Sequence, residues 1–225
     1  MEHGGLWEPV TDRQALRALL RVMNSFLPDG FGINKVNSIK AFLTIHLLID
    51  DWTSNKSLLP MRNGVLNTDV MKLEPYTARH RFNWQLPYSY DPGARIDVIA
   101  RWLHEVTDSD HETISIIRAF FKIALTGGDL QKFLEVIGPG GTGKSTLIRL
   151  LVSFIGESNH VATDLKNLEG NRFEAAGLYG KKLALISDSS RYGGEVAVLK
   201  ALTGGDPIRL ERKNEQQGAS FVFNG

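Results

Sequence analysis

Residues 133–138 (FLEVIG) are an apolar run, and residues 144–156 (KSTLIRLLVSFIG) have the apolar spacing of a helix. Between them stand Gly138, Pro139, Gly140, Gly141, Thr142, Gly143, Lys144 and Ser145, followed by Thr146. The order G-x-x-x-x-G-K-[ST], set between a strand-like and a helix-like segment, constrains this chain more than any other feature. Each residue type has a reason to be there. Glycines let backbone N–H groups wrap a phosphate with no Cβ in the way. A helix opening at Gly143 adds its N-terminal partial positive charge at the same point. Lys144 is placed to reach β- and γ-phosphates, and Ser145 to hold Mg2+. A glycine-rich turn joining strand to helix is the plain structural alternative. The chemical reading is a site for a nucleoside triphosphate, with residues 138–146 as its cradle.

The rest of the 225 residues fall into two parts. Residues 1–126 read as helical with a small β-meander at about 58–90. Thr11 and Gln14 form a capping box for a helix carrying Leu16, Leu19, Leu20 and Met23, and Pro28-Asp29-Gly30 breaks it. Arg13, Arg17 and Arg21 line another face, either solvated or in contact with nucleic acid. A second helix, at about 39–49, is apolar on more than one side and should be well buried. Asn63-Gly64 signals a hairpin, and two more helices are expected at about 97–106 and 111–125. Ser109 and Glu112 make a capping box for the latter. Asp108 and Asp110 belong to the same cap, or form a carboxylate pair for a metal. Residues 127–225 alternate strand and helix, with a second strong strand at 182–187 (KLALIS). LTGGD occurs twice, at 125–129 and 202–206, and both copies read as helix ends with a C-terminal glycine. Residues 207–223 read as a hairpin.

Composition removes several functional classes. Hydrophobic residues at 42% and charged residues at 23% exclude wholesale disorder. The absence of cysteine excludes disulfides and thiolate chemistry and fits a reducing compartment. The six histidines lack zinc spacing. The longest apolar stretch, from Ala41, is too short to span a bilayer, and the N-terminus lacks the pattern of a signal peptide. A net charge of +1 announces no polyanion partner. A cytoplasmic protein is the expectation.

Asp188 ends the apolar run LALIS, where an acid can hold the Mg2+ shell opposite a phosphate loop; a helix N-cap is the other reading. GPGGTGKST, then LALISD, then LKALTGGDPIRLERK, within about 75 residues, resemble the superfamily 3 helicase domain of phage and plasmid primase-helicases. NGVLN, QLPYSYDP and TGGDLQKFLEVIG are similar to the region that precedes the motor in that family. The resemblance runs from about residue 58 to 225, and residues 1–57 share only helical character.

The resemblance implies an α/β P-loop NTPase of AAA+-like fold, with an incomplete parallel sheet behind the helical region. It implies an ATP- and Mg2+-dependent motor that forms a ring, a hexamer in the full-length protein, and moves on single-stranded DNA during replication. Lys144 and Asp188 would be its catalytic residues, and Ser145 and Asp188 its metal ligands. Lys200, and Arg209, Arg212 and Lys213 of the hairpin, are the implied DNA contacts. The charges of Asp206, Glu211 and Glu215 leave a solvated role open for the hairpin cations, and an exposed helix position does so for Lys200. Ser189 and Ser190 follow Asp188, so the base that polarises the attacking water stays open. By the same resemblance, the sensor asparagine and arginine finger would lie beyond Gly225, and a primase part upstream. The strand between 133–138 and 182–187 would also lie beyond Gly225, leaving these residues poorly packed around Asp188 and unable to unwind DNA. Rival classes are a P-loop kinase, a nucleotide-gated switch, and an inactive remnant that retains nucleotide binding.

Overall fold

The computed structural model describes residues 2–3, 5–48, 55–128, 131–186, 192–211 and 219–223. Its contacts form two units: Met1–Asn55 with Tyr76–Trp84, and Lys56–Pro75 with Gln85–Gly225. This division follows packing and is drawn differently from the sequence boundary near Gly127.

In the first unit, β1 (Glu2–His3) and β2 (Leu6–Trp7) pair antiparallel ahead of two helices. The first helix, α1 (Asp12–Phe26), opens on the expected capping box. The Gln14 amide donates to Thr11 Oγ1 at 3.3 Å, and the Thr11 amide donates to Gln14 Oε1 at 2.8 Å. Arg13, Arg17 and Arg21 are exposed. After the break, α2 (Ile33–His46) starts six residues earlier than the pattern placed it. Only Val36 of this helix is buried, while Ile33, Phe42 and Ile45 are exposed, so the expected all-round burial is not observed. Among the described residues of this unit the buried apolar side chains are Met23, Val36 and Phe82, a thin layer that covers one face of a helix. Residues 76–84 close this unit: Trp7 donates its amide to the Phe82 carbonyl (2.7 Å) and its indole N–H to that of Ala78 (2.9 Å).

The second unit begins with an antiparallel meander, β3 (Leu58–Met61), β4 (Gly64–Asn67) and β5 (Lys72–Glu74). Met61 pairs with Gly64, so the turn lies at Arg62-Asn63, one residue before the expected Asn63-Gly64. A Cβ on Gly64 would stand 2.5 Å from the Glu74 carbonyl oxygen, so the glycine serves the crowded strand start beside β5. Residues 85–90 then run along β3. Leu86 donates to the Pro60 carbonyl, Arg62 to that of Tyr88, and Asn63 exchanges two bonds with Tyr90.

Helices α3 (Asp97–Val106) and α4 (His111–Thr126) fall where the periodicity predicts them. The cap of α4 is Asp110 rather than Ser109. Its carboxylate accepts from the amides of Glu112 (3.1 Å) and Thr113 (3.3 Å) and from the Thr113 hydroxyl. Ser109 and Asp108 are in left-handed backbone, a geometry an N-cap residue does not adopt. No group of three or more metal-ligating side chains forms among the described residues. Both LTGG segments end helices, with Gly127 at φ +69° and Gly205 at φ +70°.

Segment 133–138 is not a strand. Phe133 and Ile137 are 61% and 82% exposed, and no described residue pairs with the segment. A strand exists by its ladder, and apolar character alone does not supply one. The next helix, α5 (Lys144–Ile155), is well anchored. Leu151 and Ile155 pack with Ala124 of α4 and with Leu183, and Leu147 packs with Leu103 and Ile117. Buried Asn159 ties the end of α5 to its surroundings. Its side-chain amide donates to the carbonyls of Ile155 (2.8 Å) and Gln85 (3.0 Å), and its own carbonyl accepts from Lys182 (2.7 Å). Strand β6 (His160–Thr163) pairs parallel with β7 (Leu183–Ile186), crossing over through α6 (Leu165–Gly170) and a short 3-10 turn at Glu174–Leu178. This pair is the parallel sheet among the described residues, and they do not assemble the sheet of a P-loop fold. Helix α7 (Ala197–Gly204) leads into the expected hairpin, β8 (Ile208–Leu210) with β9 (Ala219–Phe221).

Candidate nucleotide site

The loop before α5 is shaped by two left-handed glycines, Gly141 at φ +80° and Gly143 at φ +88°. Gly143 is also crowded by α3: a Cβ there would lie 3.1 Å from Val106 Cγ1 and 3.5 Å from Trp102 Cζ2. Glycine is therefore demanded at this position twice, by backbone conformation and by the approach of α3. At Gly138 a Cβ would meet Thr142 Oγ1 at 3.1 Å, whereas at Gly140 it would meet no described residue within 4 Å.

Lys144 begins the helix, and its side chain turns back over the loop. Its Nζ donates to the carbonyls of Gly138 and Pro139, each at 2.6 Å, and lies 3.5 Å from Thr142 Oγ1. The Thr142 hydroxyl donates in turn to the Pro139 carbonyl at 2.9 Å. Gly138, Pro139, Thr142 and Lys144 are thus drawn into one ring of hydrogen bonds. Residues 140–146 line a concavity of about 300 Å³, with Ser145 and Thr146 exposed on the first turn of α5. That turn presents amides with no intrahelical acceptor and carries no acidic side chain.

Asp188, Arg212 and Lys213 lie outside the described residues, so Ser145 is the one of the two expected metal ligands that is described. Lys200 is exposed on α7. Arg209 is exposed on β8, its Nε 3.2 Å from Glu211 Oε1. Sequence reasoning missed Trp102 and Val106, which no motif flags because they act only by where α3 lands. It also missed Glu169 of α6, whose carboxylate accepts from the amides of Val198 and Leu199 at the start of α7. Besides the Asp110 cap, whose hydrogen bonds lower its proton affinity, two side chains carry shifted proton affinities, both through burial. Tyr88, donating to the Phe154 carbonyl, is pushed up to about 12. Lys182 is held below the usual lysine range by burial first and by Lys56 second. Neither faces the concavity.

Residues 5–108 match a family model described as D5 N terminal like, and residues 136–224 match a family of unknown function, DUF5906. The chain is also similar to the uncharacterized mitochondrial protein ymf21 of Marchantia polymorpha, with 26% identity over 126 residues, 50% of this chain and 70% of that protein. The second family's match contains the whole phosphate loop and the second LTGGD. The first extends family likeness to residues 5–57, which carry only helical pattern to the eye. It supports a primase-helicase-type family of phage and plasmid replication proteins.

Proposed function

We propose that this chain carries the ATP-binding part of a replicative helicase motor, an AAA+-like P-loop NTPase working on single-stranded DNA. The observation that carries the reading is the loop at 138–146. Gly140 has no left-handed φ and, among the described residues, no neighbour within 4 Å, so no described residue requires glycine there. A phosphate laid against bare backbone does. The two carbonyls that hold Lys144 Nζ keep the ammonium at the rim of the concavity, from which a short swing brings it onto a phosphate oxygen.

Mg-ATP fits this residue set. Residues 140–144 would hold the β- and γ-phosphates through backbone amides, Lys144 would neutralise them, and Ser145 with Asp188 would hold the Mg2+. The metal supplies charge neutralisation on the transferring phosphoryl group. The family likeness of residues 5–108 favours a replication role over a small-molecule kinase. Ring assembly, as a hexamer, and DNA translocation belong to the same proposal.

ATP turnover with and without single-stranded DNA tests it. The motor reading expects turnover that rises when DNA is added. Transfer of phosphate to a small acceptor, indifferent to DNA, would replace it with the kinase. In Asp188→Asn, nucleotide binding should persist while Mg2+-dependent turnover is lost, and equal turnover by both proteins would remove Asp188 from the metal role.

A further inference from the structure

The connector between α6 and β7 carries a cation that no motif singles out. Arg172 is 71% exposed, with its Cζ 4.8 Å from the centre of the Phe173 ring. Its Nε stands 3.4 Å from Oε2 of Glu211, and the Nε of Arg209 stands 3.2 Å from Oε1 of the same carboxylate. One anionic group therefore lies between guanidiniums supplied by two different elements. Arg209 lies on β8 between buried Ile208 and Leu210, and Glu211 follows directly after the strand. The carboxylate is the least exposed of the three, at 21% against 71% and 76%.

Two guanidiniums that converge on one carboxylate also fit one phosphodiester, which carries the same charge on a similar spread of oxygens. Both cations are largely in water, and their contacts with Glu211 are longer than tight charge-assisted bonds, so the carboxylate is readily displaced. The Phe173 ring under Arg172 limits where that guanidinium can go, and its remaining exposed surface, 39%, offers a face for a base.

We propose that Arg172 and Arg209 form a phosphodiester-binding pair for single-stranded nucleic acid, and that Glu211 is the internal anion that competes for it. The proposal rests on the nucleic-acid part of the function above. It adds a contact outside the hairpin and a carboxylate that sets the affinity.

Anisotropy titrations of a labelled oligo-dT with the full chain, across a salt series, test it. Arg172→Ala and Arg209→Ala should each weaken binding and lower the magnitude of the salt slope by about 0.7. Arg172→Lys should keep most of the slope, since it keeps the charge. Glu211→Gln should bind about threefold or more tighter, because two cations lose their competing anion. Should Arg172→Ala not fold, as judged by its melting curve, Arg172→Gln carries the same expectation.

If Arg209→Ala weakens binding and Arg172→Ala does not, the nucleic-acid reading stands and the pair is overturned. Weaker binding by Glu211→Gln would overturn the competitor. A loss of Mg-ATP affinity in Arg172→Ala, with oligo-dT binding unchanged, would assign the pair to the nucleotide and overturn the proposal. No oligo-dT binding by the wild type would overturn both the pair and the reading it rests on.

Discussion

At Gly143 a methyl group would sit 3.1 Å from Val106 on backbone already at φ +88°, while at Gly140 it would meet no described residue within 4 Å. The two glycines of one motif are therefore kept for different reasons, and substitution separates them. Gly143→Ala should lower stability by more than about 1 kcal/mol, through left-handed strain and the clash with α3. Gly140→Ala should melt within about 0.5 kcal/mol of wild type yet bind Mg-ATP more weakly, because its Cβ intrudes where a phosphate would lie. Thermal melts and nucleotide titrations of both variants check this. Equal nucleotide affinity for Gly140→Ala and wild type would remove the ligand-based reason for that glycine. The spacing of the loop residues was fully legible from sequence, because the motif is local. The crowding at Gly143 was not, because it depends on where a helix some forty residues upstream docks.

Among the elements, those with local signals were legible and those needing a distant partner were not. The capping box at Thr11, the hairpin near Asn63, and the glycines that end α4 and α7 all follow from short-range chemistry. Segment 133–138 has the apolar content of a strand, but its pairing depends on a neighbour, and none of the described residues supplies one. The cap of α4 shows a finer limit. Ser109, Asp108 and Asp110 are all competent capping types, and only the left-handed turn at 108–109 decides that Asp110 is used.

Asp110 also makes a pH prediction. Its carboxyl is held below the usual aspartate range by the Thr113 hydroxyl first and by the Glu112 amide second. The folded pKa is thus depressed, so the stabilisation is fully present above the ordinary aspartate pKa and is lost as pH falls through the lowered folded value. Asp110→Asn keeps a good N-cap and removes the titration. Melting curves from neutral pH down through the carboxylate range should show a shallower acid loss for Asp110→Asn. Identical acid slopes would mean the cap does not titrate with folding.

On the scale of the whole molecule, the loop is held on secure ground. It opens α5, and α5 is fixed by two apolar clusters that reach α3, α4 and β7. Apart from Gly143, which α3 crowds, the loop's residues are left around a concavity, as a binding element on a rigid scaffold should be. Among its described residues the first unit buries fewer apolar side chains and leaves much of α2 exposed, yet it holds much of the segment similar to the D5 N terminal like family. The proposed function depends on the claim that Mg-ATP binds at residues 138–146 with Lys144 as its cation. Equilibrium titration of the whole chain with a fluorescent ATP analogue and Mg2+, comparing wild type with Lys144→Ala, tests this most directly. Loss of a charge-assisted contact of about 1.5–3 kcal/mol predicts affinity lower by roughly tenfold to a hundredfold in Lys144→Ala, with the melting temperature little changed. Equal affinity in the two proteins, or no binding by the wild type, would contradict the claim.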